Sequence, residues 1–203
     1  KVSVNGTVYE DADVYAFVKN NGGKVAVYKE NLYKPMPGYR FIASNTDRSR
    51  YYVGELNGRS SKQAYMDALH ISESNIINQT FHNPLGKMNG QDICIISLKE
   101  VSGNGLCCYR QVNDSDVLVL LEEQDYNEIL DETLQRIRRD FNHISGVFSI
   151  NCVFRYLLFS QEHHMEDYLK TMSTLGDHAG LIGFGEHYNQ QFVNQTMTCV
   201  VFE

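Results

Sequence analysis

Short apolar runs separated by polar turns make up most of the chain, and they predict β-strands of ordinary length. Residues 13–19 and 24–29 flank Asn20-Asn21-Gly22-Gly23, a segment suited to the positive φ angles of a hairpin turn. Further strands are predicted at residues 41–43, 51–56, 93–98, 106–111, 117–122, 146–151, 180–185 and 195–202.

Apolar residues at three- and four-residue spacing predict helices between these groups of strands. The clearest helix covers residues 125–143, with one apolar stripe made by Ile129, Leu130, Leu134, Ile137 and Phe141. Shorter helices are predicted from Ser60, from residue 73, and at residues 152–159 and 165–172. Because the links between residues 93 and 122 are too short for parallel returns, the pattern predicts an α+β fold with a largely antiparallel β-sheet flanked by helices.

The strongest interruption of this pattern is formed by Pro35, Pro37 and Gly38. We therefore expect a domain boundary near residue 38, which divides the chain into residues 1–39 and 40–203. The chain also begins in a strand-like segment without an initiator Met. We expect it to be a piece of a longer parent chain.

Composition narrows the classes of function. Of the 203 residues, 42% are hydrophobic and 21% charged, which is the balance of an ordinary globular domain. A net charge of −7 with scattered Lys and Arg disfavours nucleic-acid binding, since phosphate contacts dominate that affinity. The sequence contains neither a signal-peptide pattern nor an apolar run of membrane-spanning length, so no membrane partner is expected. Five cysteines, mostly in apolar runs, favour the reducing cytoplasm.

Motifs for metals and phosphates are missing from the sequence. Cys107-Cys108 and His163-His164 are adjacent pairs, without the two- to four-residue spacing of zinc ligands. No Gly-rich phosphate loop followed by Lys-Ser or Lys-Thr occurs. We expect neither a cofactor nor a metal.

Three segments place polar side chains at the ends of apolar strands. Glu186 follows the glycine-rich strand of residues 180–185, and it could stand at the rim of a site or form a structural ion pair. Asn194 and Thr196 open the last strand, where they could reach a site or cap the strand.

The third segment, Asn151-Cys152-Val153-Phe154-Arg155, delivers an amide, a thiol and a guanidinium in succession. The planar guanidinium of Arg155 suits a carboxylate, so it is the best candidate for an anion clamp. The alternative is that Arg155 bridges internally to Glu186 while Cys152 is a buried small residue. A Cys152 nucleophile is a further alternative, with His164 or His187 as base and Glu186 or Asn151 to orient it.

In their order along the chain, these segments resemble the FIST family of intracellular sensory domains. The similarity includes residues 51–58, Asn83-Pro84-Leu85-Gly86, the strands between 93 and 122, Asn151 to Arg155, Gly183 to Glu186, and Asn194-Gln195-Thr196. Residues 40–203 resemble a FIST C-terminal domain, and residues 1–39 resemble the tail of a FIST N-terminal domain. The resemblance implies a cytoplasmic module of chemoreceptor-like signalling proteins that binds small ligands such as amino acids, and it implies no reaction.

The leading hypothesis is therefore a ligand-binding sensor rather than an enzyme. In it, Arg155 and Glu186 bind the carboxylate and ammonium groups of a zwitterion, with hydrogen bonds from Asn151, Asn194 and Thr196 and with Cys152 at the site. Its partners would be that small ligand and a downstream signalling domain in the same parent chain. The alternatives are a structural or partner-docking domain without a ligand and, third, a Cys152-dependent enzyme.

Overall fold

A computed structural model describes residues 1–90 and 92–203 of the chain. Sixteen strands lie in this part of the chain, named in chain order: β1 Val2–Val4, β2 Thr7–Tyr9, β3 Val25–Asn31, β4 Tyr33–Asp47, β5 Tyr52–Leu56, β6 Arg59–Ser60, β7 Leu85–Asn89, β8 Asp92–Ile96, β9 Leu98–Ser102, β10 Gly105–Cys108, β11 Val117–Glu123, β12 Gly146–Cys152, β13 Asp177–Gly183, β14 Glu186–Tyr188, β15 Gln191–Val193 and β16 Thr196–Phe202. Five α-helices accompany them: α1 Ser61–Leu69, α2 Ile76–Gln79, α3 Tyr126–Asp140, α4 Val153–Gln161 and α5 Met165–Met172.

Eight of these strands form one antiparallel sheet in the order β8-β7-β11-β4-β5-β10-β9, with β6 beside β5. One of its faces is covered by α1 and α2, and the apolar residues between them make the first core, which includes Leu56, Tyr65 and Leu106. Helix α1 begins at Ser60, whose hydroxyl accepts a hydrogen bond from the backbone N–H of Gln63.

Four more strands form a second sheet in the order β13-β12-β16-β3. Helices α3, α4 and α5 contribute to the second core, which includes Ile137, Tyr168 and Val201. Helix α3 starts where the Asp125 carboxylate accepts hydrogen bonds from two backbone N–H groups of its first turn, and Arg138 and Arg139 lie in its last turn. The structure thus confirms the α+β fold with largely antiparallel sheets.

The pairing of β12 with β13 is parallel, while every other strand pair in the described residues is antiparallel. A parallel return needs a long crossover, and α4 and α5 provide it. Both strands end together, with Cys152 opposite Gly183. The chain turns at this edge of the sheet into the first residues of α4.

The structure differs from three local expectations of the sequence. Residues 13–19 form no strand in it, and β3 pairs with β16 but not with them. Residues 35–38 lie inside β4, where Pro35 sits opposite Leu121 and the register shifts between Val119 and Leu121. A positive φ of 85° at Gly38 accommodates this irregularity. The helix predicted from residue 73 is a 3-10 turn over Glu73–Asn75 followed by the single turn of α2.

The domain division at residue 39 stays a prediction, although β4 crosses it without a break. Among residues 1–90 and 92–203, no helix combines the length and the apolar character needed to cross a membrane.

The close approach of β12 and β13 depends on Gly180, and Gly180→Ala is expected to destabilise the fold. A Cβ atom at this position would lie 2.6 Å from the backbone oxygen of Ser149. We expect a loss of about 1–3 kcal/mol in the free energy of unfolding, measured by urea denaturation.

Gly146→Ala on the neighbouring strand is the matched control, because a Cβ there meets its nearest atom at an ordinary 3.4 Å. Equal stability losses in the two variants would contradict the close approach.

Candidate functional site

The polar residues selected from the sequence gather where β12 and β13 end. Asn151 and Cys152 close β12, Arg155 lies in the first turn of α4, and Glu186 opens β14. Thr196 begins β16, beside the end of β12 in the antiparallel register. These five residues are buried, whereas Asn194 is half-buried. Most of the predicted site residues therefore lie inside the protein, at the ends of strands β12 and β13.

Consecutive strand residues point to opposite faces of a sheet, which divides this cluster into two groups. The inner polar group faces the helices and consists of Asn151, Arg155 and Glu30. The outer polar group faces the β14–β15 hairpin and consists of Cys152, Glu186 and Thr196.

Arg155 of the inner polar group is bound to a partner that sequence reasoning missed. It forms an ion pair with Glu30 of β3, and both side chains are 1% exposed. Its guanidinium also lies over the rings of Phe159 and Tyr168, at 4.6 and 5.4 Å from their centroids. In the described residues no ion pair joins Arg155 to Glu186, so the alternative of an internal bridge is right in kind but wrong in partner.

The inner polar group retains unused hydrogen-bonding capacity. The Nδ2 atom of Asn151 donates to the Tyr168 hydroxyl at 2.9 Å, while its Oδ1 has no partner in the described residues. The Nε and Nη1 atoms of Arg155 and the Oε2 atom of Glu30 are likewise buried without a partner there. Two donors and two acceptors thus lie at the edge of the sheet with free capacity, which native proteins seldom leave.

Glu186 dominates the outer polar group. Burial raises the pKa of its carboxyl to about 7, although contacts with the Cys152 thiol and the Gly185 backbone act in the opposite direction. Neither carboxyl oxygen has a hydrogen-bond partner of good geometry in the described residues, and the Thr196 hydroxyl lacks one too. Gly183 gives the carboxyl its space, because a Cβ there would lie 2.9 Å from Oε1.

Cys152 lies at the N-cap of α4 beside the Glu186 carboxyl. Burial is the largest of the effects that raise the pKa of its thiol to about 11, and the Glu186 charge adds to them. At neutral pH the thiol is therefore protonated and a weak nucleophile. The two candidate bases pack against aromatic rings: His164 lies edge-on against Phe159, and His187 against Phe192.

Gln195 is a further residue of this region that was not selected as a site residue. It is fully buried, its Nε2 donates to the backbone oxygen of Thr80 at 3.1 Å, and its Oε1 has no partner in the described residues.

Glu30 could have been found from its position in the sequence. It lies in β3 two residues after the buried Tyr28, which places a carboxylate on the core face of an apolar strand. In the described part of the chain, no three His, Cys, Asp or Glu side chains are grouped to bind a metal ion.

A surface cavity of about 420 Å³ reaches the inner polar group from outside. It lies between β3 and α3, and its lining includes Glu30, Thr133 and Arg136. A second cavity of about 630 Å³ adjoins it along β3 and shares Lys29 and Arg136. Of the inner polar group, Glu30 lines this cavity.

An α+β domain with polar groups buried at the carboxyl ends of its two parallel strands is the class that fold and site define. Residues 62–189, more than half of the chain, match the family described as FIST C domain. The chain belongs to this family, whose domains are of the sensory type found in signal transduction. No curated protein and no solved structure matches the chain significantly.

The match confirms the resemblance for the C-terminal domain, and it contains Asn151, Cys152, Arg155 and Glu186 but ends before Asn194 and Thr196. The resemblance of residues 1–39 to a FIST N-terminal tail stays a prediction.

Arg155→Ala is expected to destabilise the protein by about 3–5 kcal/mol, because it leaves the Glu30 carboxylate buried without its counter-charge. Urea denaturation measures this loss. Lys170→Ala is the control: Lys170 also pairs with a glutamate, Glu166, but the two side chains are 67% and 81% exposed, so the change is expected to have little effect on stability. Similar losses in both variants would show that the buried pair has no special weight.

Stability is expected to fall with rising pH because of Glu186. Its carboxyl binds a proton more tightly in the folded protein, with a pKa of about 7, than at the ordinary value of 4.5. Between these two pKa values the native state binds a proton that the unfolded state has lost. The free-energy cost of the buried, ionised carboxyl is therefore absent below the ordinary pKa and complete above the pKa of the folded protein. Glu186→Gln should therefore raise stability at about pH 8 by on the order of 3 kcal/mol, and by little at about pH 4.5.

Chemical denaturation across this pH range is the measurement. Glu166→Gln changes an exposed carboxyl in the same way and should show no such gain. A gain from Glu186→Gln that does not vary with pH would contradict the raised pKa.

Proposed function

We propose that this chain is a cytoplasmic sensory domain that binds a small zwitterionic ligand, such as an amino acid, and acts by binding rather than by catalysis. The observation that carries the proposal is the set of buried polar atoms with free hydrogen-bonding capacity off the ends of β12 and β13. In open α/β sheets, ligands bind in the crevice outside the carboxyl ends of the parallel strands, and the parallel pair β12–β13 has such an end. Polar groups from both faces of the sheet can reach a ligand in that position.

The charges in this region suit a molecule that carries both signs. Arg155 has two free N–H donors for a carboxylate, and the first turn of α4 adds its positive helix end. Glu186 supplies acceptors for an ammonium group, as the sequence hypothesis had it, and Glu30 supplies another beside Arg155. The Asn151 and Thr196 oxygens provide further acceptors, and Asn194 lies two residues before Thr196 in the chain.

Glu30 also gives the ligand a route from the surface. Its side chain lines the cavity of about 420 Å³ between β3 and α3 while it pairs with Arg155 behind it. A ligand ammonium that approaches through this cavity meets the carboxylate first. Separation of the Glu30–Arg155 pair by the ligand would shift β3 relative to α4, and a downstream signalling domain in a chemoreceptor-like parent protein would detect that shift.

A thermal-shift screen with the common amino acids tests the proposal. A ligand at one hundred times its Kd stabilises the native state by about 2.7 kcal/mol, so at least one amino acid should raise Tm by several degrees. Thr196→Val should reduce that shift at equal ligand concentration, because it removes a hydroxyl from the proposed site but keeps the side-chain shape.

Thr198→Val is the matched control, since Thr198 is a buried threonine on the same face of β16, one pleat further from the site. It should leave the ligand-induced shift intact. If no amino acid raises Tm, the ligand class is wrong; if both threonine variants behave alike, the site is wrong.

A further inference from the structure

One long edge of the second sheet is open. In the described residues β3 pairs with β16 alone, so the groups along its other side point away from the sheet. Arg136 donates to the backbone oxygen of Lys29 at 3.1 Å, and the Tyr188 hydroxyl lies 3.5 Å from that of Val27. Because the N–H and C=O of a strand residue point to the same side, the amides of Val27 and Lys29 also face outward.

This edge has the form of a groove that accepts a strand. Helix α3 lies on one side of it, the tip of the β14–β15 hairpin lies on the other, and the two cavities of about 420 and 630 Å³ follow it. An extended segment that enters such a groove forms main-chain hydrogen bonds with the edge strand. A bare edge is a liability that native proteins usually cover or charge.

The chain itself contains a segment that fits the groove. Residues 14–18, Val-Tyr-Ala-Phe-Val, have the β-branched and aromatic composition of a strand, yet they form no strand in the structure. Tyr15 is 78% exposed and Phe17 is 93% exposed, and the two rings contact each other in an edge-to-face pair. Such a run of exposed apolar residues marks a surface that binds another one.

The spacing to β3 places this segment in register with the open edge. A two-residue loop at Asn21-Gly22 would make Asn20 and Gly23 the first hydrogen-bonded pair, and the Asn20 side chain already donates to the Gly23 oxygen at 3.1 Å. Counting back in steps of two, the hydrogen-bonded pairs are Val18 with Val25 and Ala16 with Val27. These are the β3 positions whose backbone groups face outward.

The same register assigns the side chains to suitable faces. Phe17 falls opposite Ala26 and Tyr15 opposite Tyr28, on the face of β3 that packs against the helices. Val18 and Ala16 fall beside Val25 and Val27, which are 42% and 45% exposed on the outer face. Closure requires positive φ angles at Asn21 and Gly22, which both residue types adopt readily.

We propose that the free edge of β3 is a strand-acceptor surface and that its occupant is the segment of residues 14–18 of the same chain. The segment adds a fifth strand to the order β13-β12-β16-β3 and covers the groove between α3 and the hairpin. In that register Val14 lies opposite Lys29, so the closed strand ends beside Glu30 in the lining of the groove. This surface exists whether or not the domain binds an amino acid.

Amide hydrogen exchange, measured by NMR on the whole chain, tests the proposal. In the wild type, the backbone amides of Ala16 and Val27 should exchange slowly. In Ala16→Pro the amide of Val27 should exchange at least about ten-fold faster than in the wild type, because proline removes a hydrogen-bond donor of the new strand pair. Ala12→Pro makes the same change outside the segment and should leave the protection of Val27 intact. Equal exchange of Val27 in the wild type and in Ala16→Pro overturns the proposal.

A disulfide trap distinguishes closure within one chain from exchange between two copies. Phe17→Cys with Ala26→Cys places two thiols in a non-hydrogen-bonded pair, whose Cα separation of about 4.5 Å lies in the range of disulfides. It should form an intrachain bond, whereas Ala16→Cys with Ala26→Cys, one residue out of register, should not. Equal bonding of both pairs overturns the register, and a disulfide-linked dimer overturns the assignment to the same chain.

Discussion

The buried ion pair between Arg155 and Glu30 is the interaction on which the second, four-stranded sheet and its helices depend. Charges in an apolar interior are tolerated only when each compensates the other and when hydrogen bonds and ring contacts complete their surroundings. Arg155 has its counter-charge in Glu30 and its ring contacts in Phe159 and Tyr168, while its Nε and Nη1 atoms keep free hydrogen-bonding capacity. The pair therefore sets the arrangement of strand β3 relative to helices α4 and α5 in this structure, and the Asn151–Tyr168 hydrogen bond extends that arrangement to β12.

Sequence periodicity predicted the elements whose environment is uniform along their length. Helix α3 has a continuous stripe against the core, and β12 and β16 have one face against the helices, so their patterns were clear. It failed where pairing with distant strands decides the conformation. Residues 35–38 look like a turn in isolation, but β11 holds them in β4, with the irregularity at Gly38 absorbed as a register shift. Strand β7 follows directly after Pro84 and is paired on both sides by β11 and β8.

The candidate site was visible in the sequence only in part. Polar residues directly after apolar strands identified Asn151, Cys152, Arg155 and Glu186, because such positions are local and their burial follows from the strand. Two facts were out of reach. Arg155 finds its counter-charge 125 residues away in the chain, and the alternation of strand faces separates Arg155 from Glu186. A single sequence contains no record of either relation.

The position of β16 has a consequence for how the protein is made. This strand lies between β12 and β3 in the sheet and pairs with both. In the sequence it follows β3 by most of the length of the chain. During synthesis β3 emerges before β16 and must wait, with its apolar face uncovered, until the long segment between the two strands has left the ribosome. Non-local pairing of this kind slows folding and exposes intermediates to aggregation. The strands of the eight-stranded sheet all lie between residues 33 and 123, so this sheet can form before β16 is available, with β3 beside it.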